Sequence, residues 1–219
     1  MDALTGLWEY ISSNQELVIE QTIAHLRITV TAVGLATISA VLLAVLVYRF
    51  SLPRSIALSA AAIVLTVPSL ALFAIFIPIV GTGNTPAILA LFLYGQLPIL
   101  RNTVTGLTGV SPAVVESAKG MGMNPFQLLL RIRLPLAMPL ILAGVRITTL
   151  LTVGIAAIAV LVGGDGLGYF IRLGIIQQGF PFADNAIYTG IIFTILLGLL
   201  LDGVLRVTQR IVTPRGIQA

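Results

Sequence analysis

The 219-residue chain has no cysteine. Disulfides, thiolate metal sites and cysteine nucleophiles are therefore excluded. It has one histidine, His25, so no histidine cluster for metal binding or proton transfer exists within one copy. Charge is scarce: Asp, Glu, Lys and Arg make up 9% of the residues, where a soluble domain carries about a quarter. No G-x4-G-K-[ST] loop occurs, so the chain lacks the usual phosphate cradle for nucleotide hydrolysis. The first twenty residues hold Asp2, Glu9, Glu16 and Glu20 and no Lys or Arg. This is the reverse of a secretion signal, which opens on basic residues.

What the chain does have is apolar length. Hydrophobic residues make up 58% of it, more than a soluble globule of this size has polar surface to cover. A spanning helix needs about 20 mostly apolar residues. Uncharged or nearly uncharged runs predict five spans, at residues 28–48, 55–78, 86–107, 136–162 and 186–205. Turn formers at Gly81-Thr82-Gly83-Asn84-Thr85-Pro86 separate the second span from the third. Residues 165–185 mix Tyr169, Phe170 and Ile171 with Gly, Gln and Arg172. They read as an interfacial or re-entrant helix, with a sixth span as the alternative. No internal repeat or second domain is visible, so residues 1–219 read as one transmembrane domain.

The formal net charge is +4, and the basic residues sit at the ends of apolar runs. That marks cytoplasmic loops rather than a nucleic-acid surface. Placing Arg49 and Arg54 inside also places Arg101, Lys119, Arg131, Arg133, Arg206, Arg210 and Arg215 inside, nine of the twelve basic residues. The expected orientation has the N-terminus outside and the C-terminus in the cytoplasm, with His25 and Arg27 at the outer headgroups.

Within the expected cytoplasmic loop at about 108–135, Glu116-Ser117-Ala118, Gly122, Ile132 and Leu134-Pro135 stand in the order E-S-A-x3-G-x9-I-x-L-P. Ser111-Pro112 and Asn124-Pro125 each pair a capping residue with Pro at the first helical position. Two short helices are expected, with Gly122 as the stop between them. Val114, Ala118 and Met121 should share a face, and Glu116 should pair weakly with Lys119. Leu134-Pro135 should bend the chain back into the membrane.

This pattern resembles the EAA loop of the membrane subunits of bacterial ABC importers, with Ser117 where that family usually has Ala. The resemblance implies an all-α, methionine-permease-like helical bundle in the bacterial inner membrane. It implies two ATP-binding cassette subunits, which would bind the ATP, docked on Glu116, Ser117, Ala118, Gly122, Ile132 and Pro135. It further implies a second permease copy or sister permease, and an extracytoplasmic substrate-binding protein.

Thr66-Val67-Pro68-Ser69-Leu70-Ala71-Leu72, Pro98-Ile99-Leu100-Arg101-Asn102-Thr103 and Gly163-Gly164-Asp165-Gly166-Leu167-Gly168 look like the osmoprotectant permeases. The implied cargo is a quaternary amine such as glycine betaine, carnitine or choline. Aromatic residues make up only 7%, with Trp8 the single tryptophan. No aromatic cage for such a cation is visible in the spans, which leaves tight recognition to the binding protein. Pro68 in mid-span is expected to free the Val64 carbonyl and kink its helix, with Thr66 and Ser69 either lining a possible translocation path at the kink or bonding carbonyls of their own helix. Arg146, deep in the fourth span, is expected to pair with Asp202. The competing readings are an ABC permease for amino acids or other small solutes, and a passive channel or membrane scaffold. No catalytic constellation suggests an enzyme.

Overall fold

The computed structural model describes residues 3–212; Asp2, used above against a secretion signal, and Arg215, used for orientation, lie outside the described residues. The described chain is helical throughout its regular structure: α1 (Ala3–Ser13), α2 (Gln15–Val47), α3 (Ser51–Thr66), α4 (Ser69–Val80), α5 (Asn84–Thr108), α6 (Pro112–Gly120), α7 (Pro125–Leu128), α8 (Leu134–Ala156), α9 (Gly168–Ile176) and α10 (Ala183–Val212). A π-helical turn, Leu129–Arg133, joins α7 to α8, and a 3-10 turn, Ala157–Val162, extends α8.

Four helical stretches are long and apolar enough to cross a membrane: Gln15–Val47, Asn84–Thr108, Pro125–Val162 and Ala183–Ile211. The α3–α4 pair qualifies as a fifth, bent by 98° at its break. This agrees with about five spans. The short α9 is not among them; it packs on α10, as expected of a non-spanning segment at 165–185.

The bundle closes because small residues let helix axes approach, the usual basis of packing between membrane helices. Along α2, Ala32, Ala36, Ala40 and Ala44 repeat every four residues and are fully buried. Opposite them is Gly95 of α5, where a β-carbon would sit 2.7 Å from that of Ala36 and 2.9 Å from Cγ2 of Thr148 on α8. Helix α5 is accordingly the central element, packed chiefly on α8 and α2. Ile99, Leu100, Val104 and Val145 fill the middle layer of the core. Leu107, Ala137, Ile141 and Tyr48 fill the layer toward α6. The outward faces carry Leu42, Ile56, Ile63, Leu196 and Leu199, all exposed, as lipid contact requires.

The break at Pro68 is sharper than a kink. Val67 and Pro68 are both extended (ψ 131° and 136°), as the steric demand of proline on its predecessor favours. The Val64 carbonyl is not freed: the Val67 N–H takes it at 3.1 Å. The Val67 carbonyl in turn accepts from the Tyr94 hydroxyl of α5, which fixes the corner to the centre of the bundle.

Candidate functional site

The motif segment folds as two helices around a tight turn. Asn124 caps α7: its Oδ1 accepts from the Phe126 and Gln127 N–H groups at 3.1 and 2.8 Å, and Gln127 Oε1 accepts from the Asn124 N–H at 3.0 Å. This is a reciprocal capping box. Ser111 does not cap; its side chain makes no cap bond, and Pro112 alone marks the start of α6. Just past the end of α6, Gly122 has φ of +80°. The Gly122 N–H donates to the Lys119 carbonyl at 2.9 Å and the Met123 N–H to the Ala118 carbonyl at 3.2 Å. Those two bonds define a Schellman turn, whose left-handed position favours glycine.

The three residues expected to share a face of α6 are not buried together. Val114 and Met121 are 41% and 70% exposed, whereas Val115 and Ala118 are buried. Val115 and Ala118 pack with Val110 and Leu128, against Met123, Ile132 and Leu136. The i, i+3 pair wins because α7 folds back against that side of α6. Glu116 and Ser117 point away and are exposed. No Glu116–Lys119 ion pair forms among the described residues.

Of the six residues expected to couple, Glu116, Ser117 and Gly122 therefore sit on the surface, while Ala118 is 1% exposed and Ile132 half-buried. Pro135 does not bend the chain: Pro125–Val162 runs as one helical stretch. The π-turn before it is the reason. Leu134 N–H donates to Leu129, five residues back, and the widened turn accommodates a ring that would strike a regular helix's i−4 carbonyl.

The three residues expected to border a path are only partly brought together. Ser69 borders a hollow of about 210 Å³ behind the helix break, with Tyr94, Gly95, Thr148 and Thr152. Pro68 is exposed at the corner, and Thr66 is exposed with its hydroxyl on the Ile63 carbonyl of its own helix at 2.7 Å. Thr148 and Thr152, both almost fully buried, were missed by the sequence reading. Their signal was a run of hydroxyls, Thr148, Thr149 and Thr152, inside an otherwise apolar span.

Two further side chains are settled by the geometry. Arg146 of α8 donates through Nε and Nη2 to Asp202 of α10, and Arg206 Nε donates to the same carboxylate at 2.7 Å. The expected pair is thus a triad on one buried aspartate. His25 is buried within the bundle, 0% exposed. Its Nε2 contacts the Val153 carbonyl at 3.0 Å, and its Nδ1 accepts from the Leu167 N–H at 3.2 Å. A carbonyl only accepts and an amide N–H only donates, so the ring is neutral with its proton on Nε2. Gln21 Oε1 accepts from Gly166 N–H, and Asn84 exchanges two bonds with Asp165. Together these polar groups clamp the Gly163–Gly168 loop onto α2 and α5, and His25 ties α2 to α8.

The comparisons place this architecture. The model of the family described as "Binding-protein-dependent transport system inner membrane component" matches residues 18–213. The glycine betaine/carnitine/choline transport system permease protein OpuCB of Bacillus subtilis is 40% identical over 215 residues, 98% of this chain and 97% of that protein. The choline transport system permease protein OpuBB of the same organism is 39% identical over 96% of this chain and 95% of its own length. The osmoprotectant import permease protein OsmW of Salmonella typhimurium is 36% identical over 95% and 98%. Among solved structures, an inward-facing form of the MetNI methionine ABC transporter superposes with a TM-score of 0.80 at 22% identity, covering 92% of this chain and 99% of that one. That likeness bears out the methionine-permease-like fold. The chain belongs to the family of inner-membrane components of binding-protein-dependent transport systems, multi-pass ABC permeases that work with ATPase and substrate-binding partners.

Proposed function

We propose that this chain is the membrane-spanning subunit of an ATP-driven importer for quaternary-amine osmoprotectants such as glycine betaine, carnitine or choline. The observation that carries the substrate class is full-length identity of 36–40% to permeases named for those solutes. The whole chain acts as one permease domain and works as a pair, with a second copy or a sister permease. Two ATP-binding cassette subunits dock on the α6–α7 plug, and an extracytoplasmic binding protein delivers solute to the opposite end. The distribution of basic residues supports a cytoplasmic plug and an outer N-terminus.

The plug's construction supports this role. Val115, Ala118 and Leu128 bury a small apolar centre, so a push on Glu116 or Ser117 is carried into α5 and α8 instead of being absorbed. Closure of the ATPase pair draws the plugs together and opens the passage outward; hydrolysis lets it return. Ser69 and the hollow behind the broken helix border the passage.

Proteoliposomes holding the permease, its ATPase and the binding protein test the assignment. Radiolabelled betaine, carnitine or choline should accumulate only with ATP inside the ATPase-facing compartment. Accumulation of amino acids alone would replace the substrate class, and flux without ATP would mean a channel. In the same assay Ser69→Leu should slow uptake; an unchanged rate removes Ser69 from the passage.

A further inference from the structure

A second hollow, of about 650 Å³, lies where the end of α2 faces the plug. Tyr48, Arg49, Thr108, Lys119 and Arg133 line it, and no carboxylate does. The ion pairs among the described residues involve Asp202, on α10. Three cations therefore border one space with no carboxylate partner among the described residues. Like charges so placed repel, and an anion between them would offset that repulsion.

The two arginines are held in position rather than splayed. Both guanidiniums lie over the Tyr48 ring, at 5.3 Å for Arg49 and 5.5 Å for Arg133, a cation–π arrangement. Arg49 Nε donates to the Tyr48 hydroxyl at 2.7 Å, and Arg133 Nη1 to the Leu107 carbonyl at 2.5 Å. Tyr48 itself is buried. Arg133 Nε is buried too and has no hydrogen-bond partner among the described residues. Arg133 thus brings to the wall of the hollow a guanidinium whose hydrogen-bonding capacity the protein leaves partly unused.

We propose that this hollow binds a phosphate anion, either the headgroup of an anionic phospholipid or a free phosphate. Guanidinium forks match phosphate oxygens in geometry, and basic pockets between membrane helices take phosphate-bearing headgroups. The hollow is separate from the proposed ATPase contact: Val115 and Lys119 line it, whereas Glu116 and Ser117 do not. A bound phosphate would tie Lys119 of the plug to Arg49 at the end of α2. The site stands whether or not the solute assignment holds.

The test is native mass spectrometry of the full chain assembled with its ATPase, loaded with phosphatidylglycerol or with phosphatidylcholine, which shares the phosphodiester but has no net charge. Phosphatidylglycerol should be retained about tenfold more tightly, and Arg49→Gln with Lys119→Gln should reduce it to the phosphatidylcholine level. Thr108→Phe, which crowds the hollow without removing charge, should do the same and serves if the double variant does not fold. Displacement by millimolar inorganic phosphate identifies a soluble ligand; no displacement identifies the lipid. Equal retention of both lipids without any effect of inorganic phosphate, or retention unchanged in both variants, overturns the site.

Discussion

At Gly95 three membrane helices meet with no room for a methyl group. The neighbours that a β-carbon would strike, Ala36 and Thr148, lie on helices packed from both sides, so neither gives way cheaply. Gly95→Val should lower stability by about 1–3 kcal/mol through overpacking, seen as an earlier midpoint of thermal inactivation. Gly154→Ala is the matched control, because nothing lies within 4 Å of a β-carbon there, and it should stay within about 0.5 kcal/mol of the parent. Equal midpoints for both would mean that the small-residue crossing does not set the bundle's spacing. The Arg146–Asp202 pair was legible in the sequence because two opposite charges in apolar spans demand each other. His25 was not: its partners are backbone groups of Val153 and Leu167, and backbone partners leave no trace in side-chain types.

At the scale of elements, the plug is a pair of helices fixed by one glycine turn. Gly122 has open space around it, so a larger side chain is opposed by backbone conformation alone, about 1–2 kcal/mol for a non-glycine residue in the left-handed region. Gly122→Val should therefore leave the spans folded while loosening the angle between α6 and α7. Uptake driven by ATP should fall several-fold while ATPase turnover persists; uptake and turnover falling in parallel would point to lost assembly instead. The motif and cap chemistry made this element legible down to the asparagine cap and the glycine stop. Which face of α6 is buried was not legible, because the helix is too short for its own periodicity to choose between Val114 and Val115; packing against α7 decided it. The break at Pro68 was legible as a proline in a span. Its 98° angle was not, since that depends on Tyr94 reaching across to the Val67 carbonyl. Pro135 shows the reverse error, a proline that the π-turn absorbs without a bend.

For the molecule as a whole, span number and class followed from apolar run lengths. The central place of α5 did not, because it rests on glycines whose meaning is visible only once three helices are packed. The central claim is that the exposed side of α6 meets the ATPase. The absence of cysteine makes it directly testable, since a single introduced thiol is unique in the permease. In the assembled transporter, Ser117→Cys treated with a thiol-to-amine crosslinker should join the permease to its ATPase subunit. Ser12→Cys, at the other end of the bundle, should not. A crosslink to the ATPase from position 12 and none from position 117 would contradict the account.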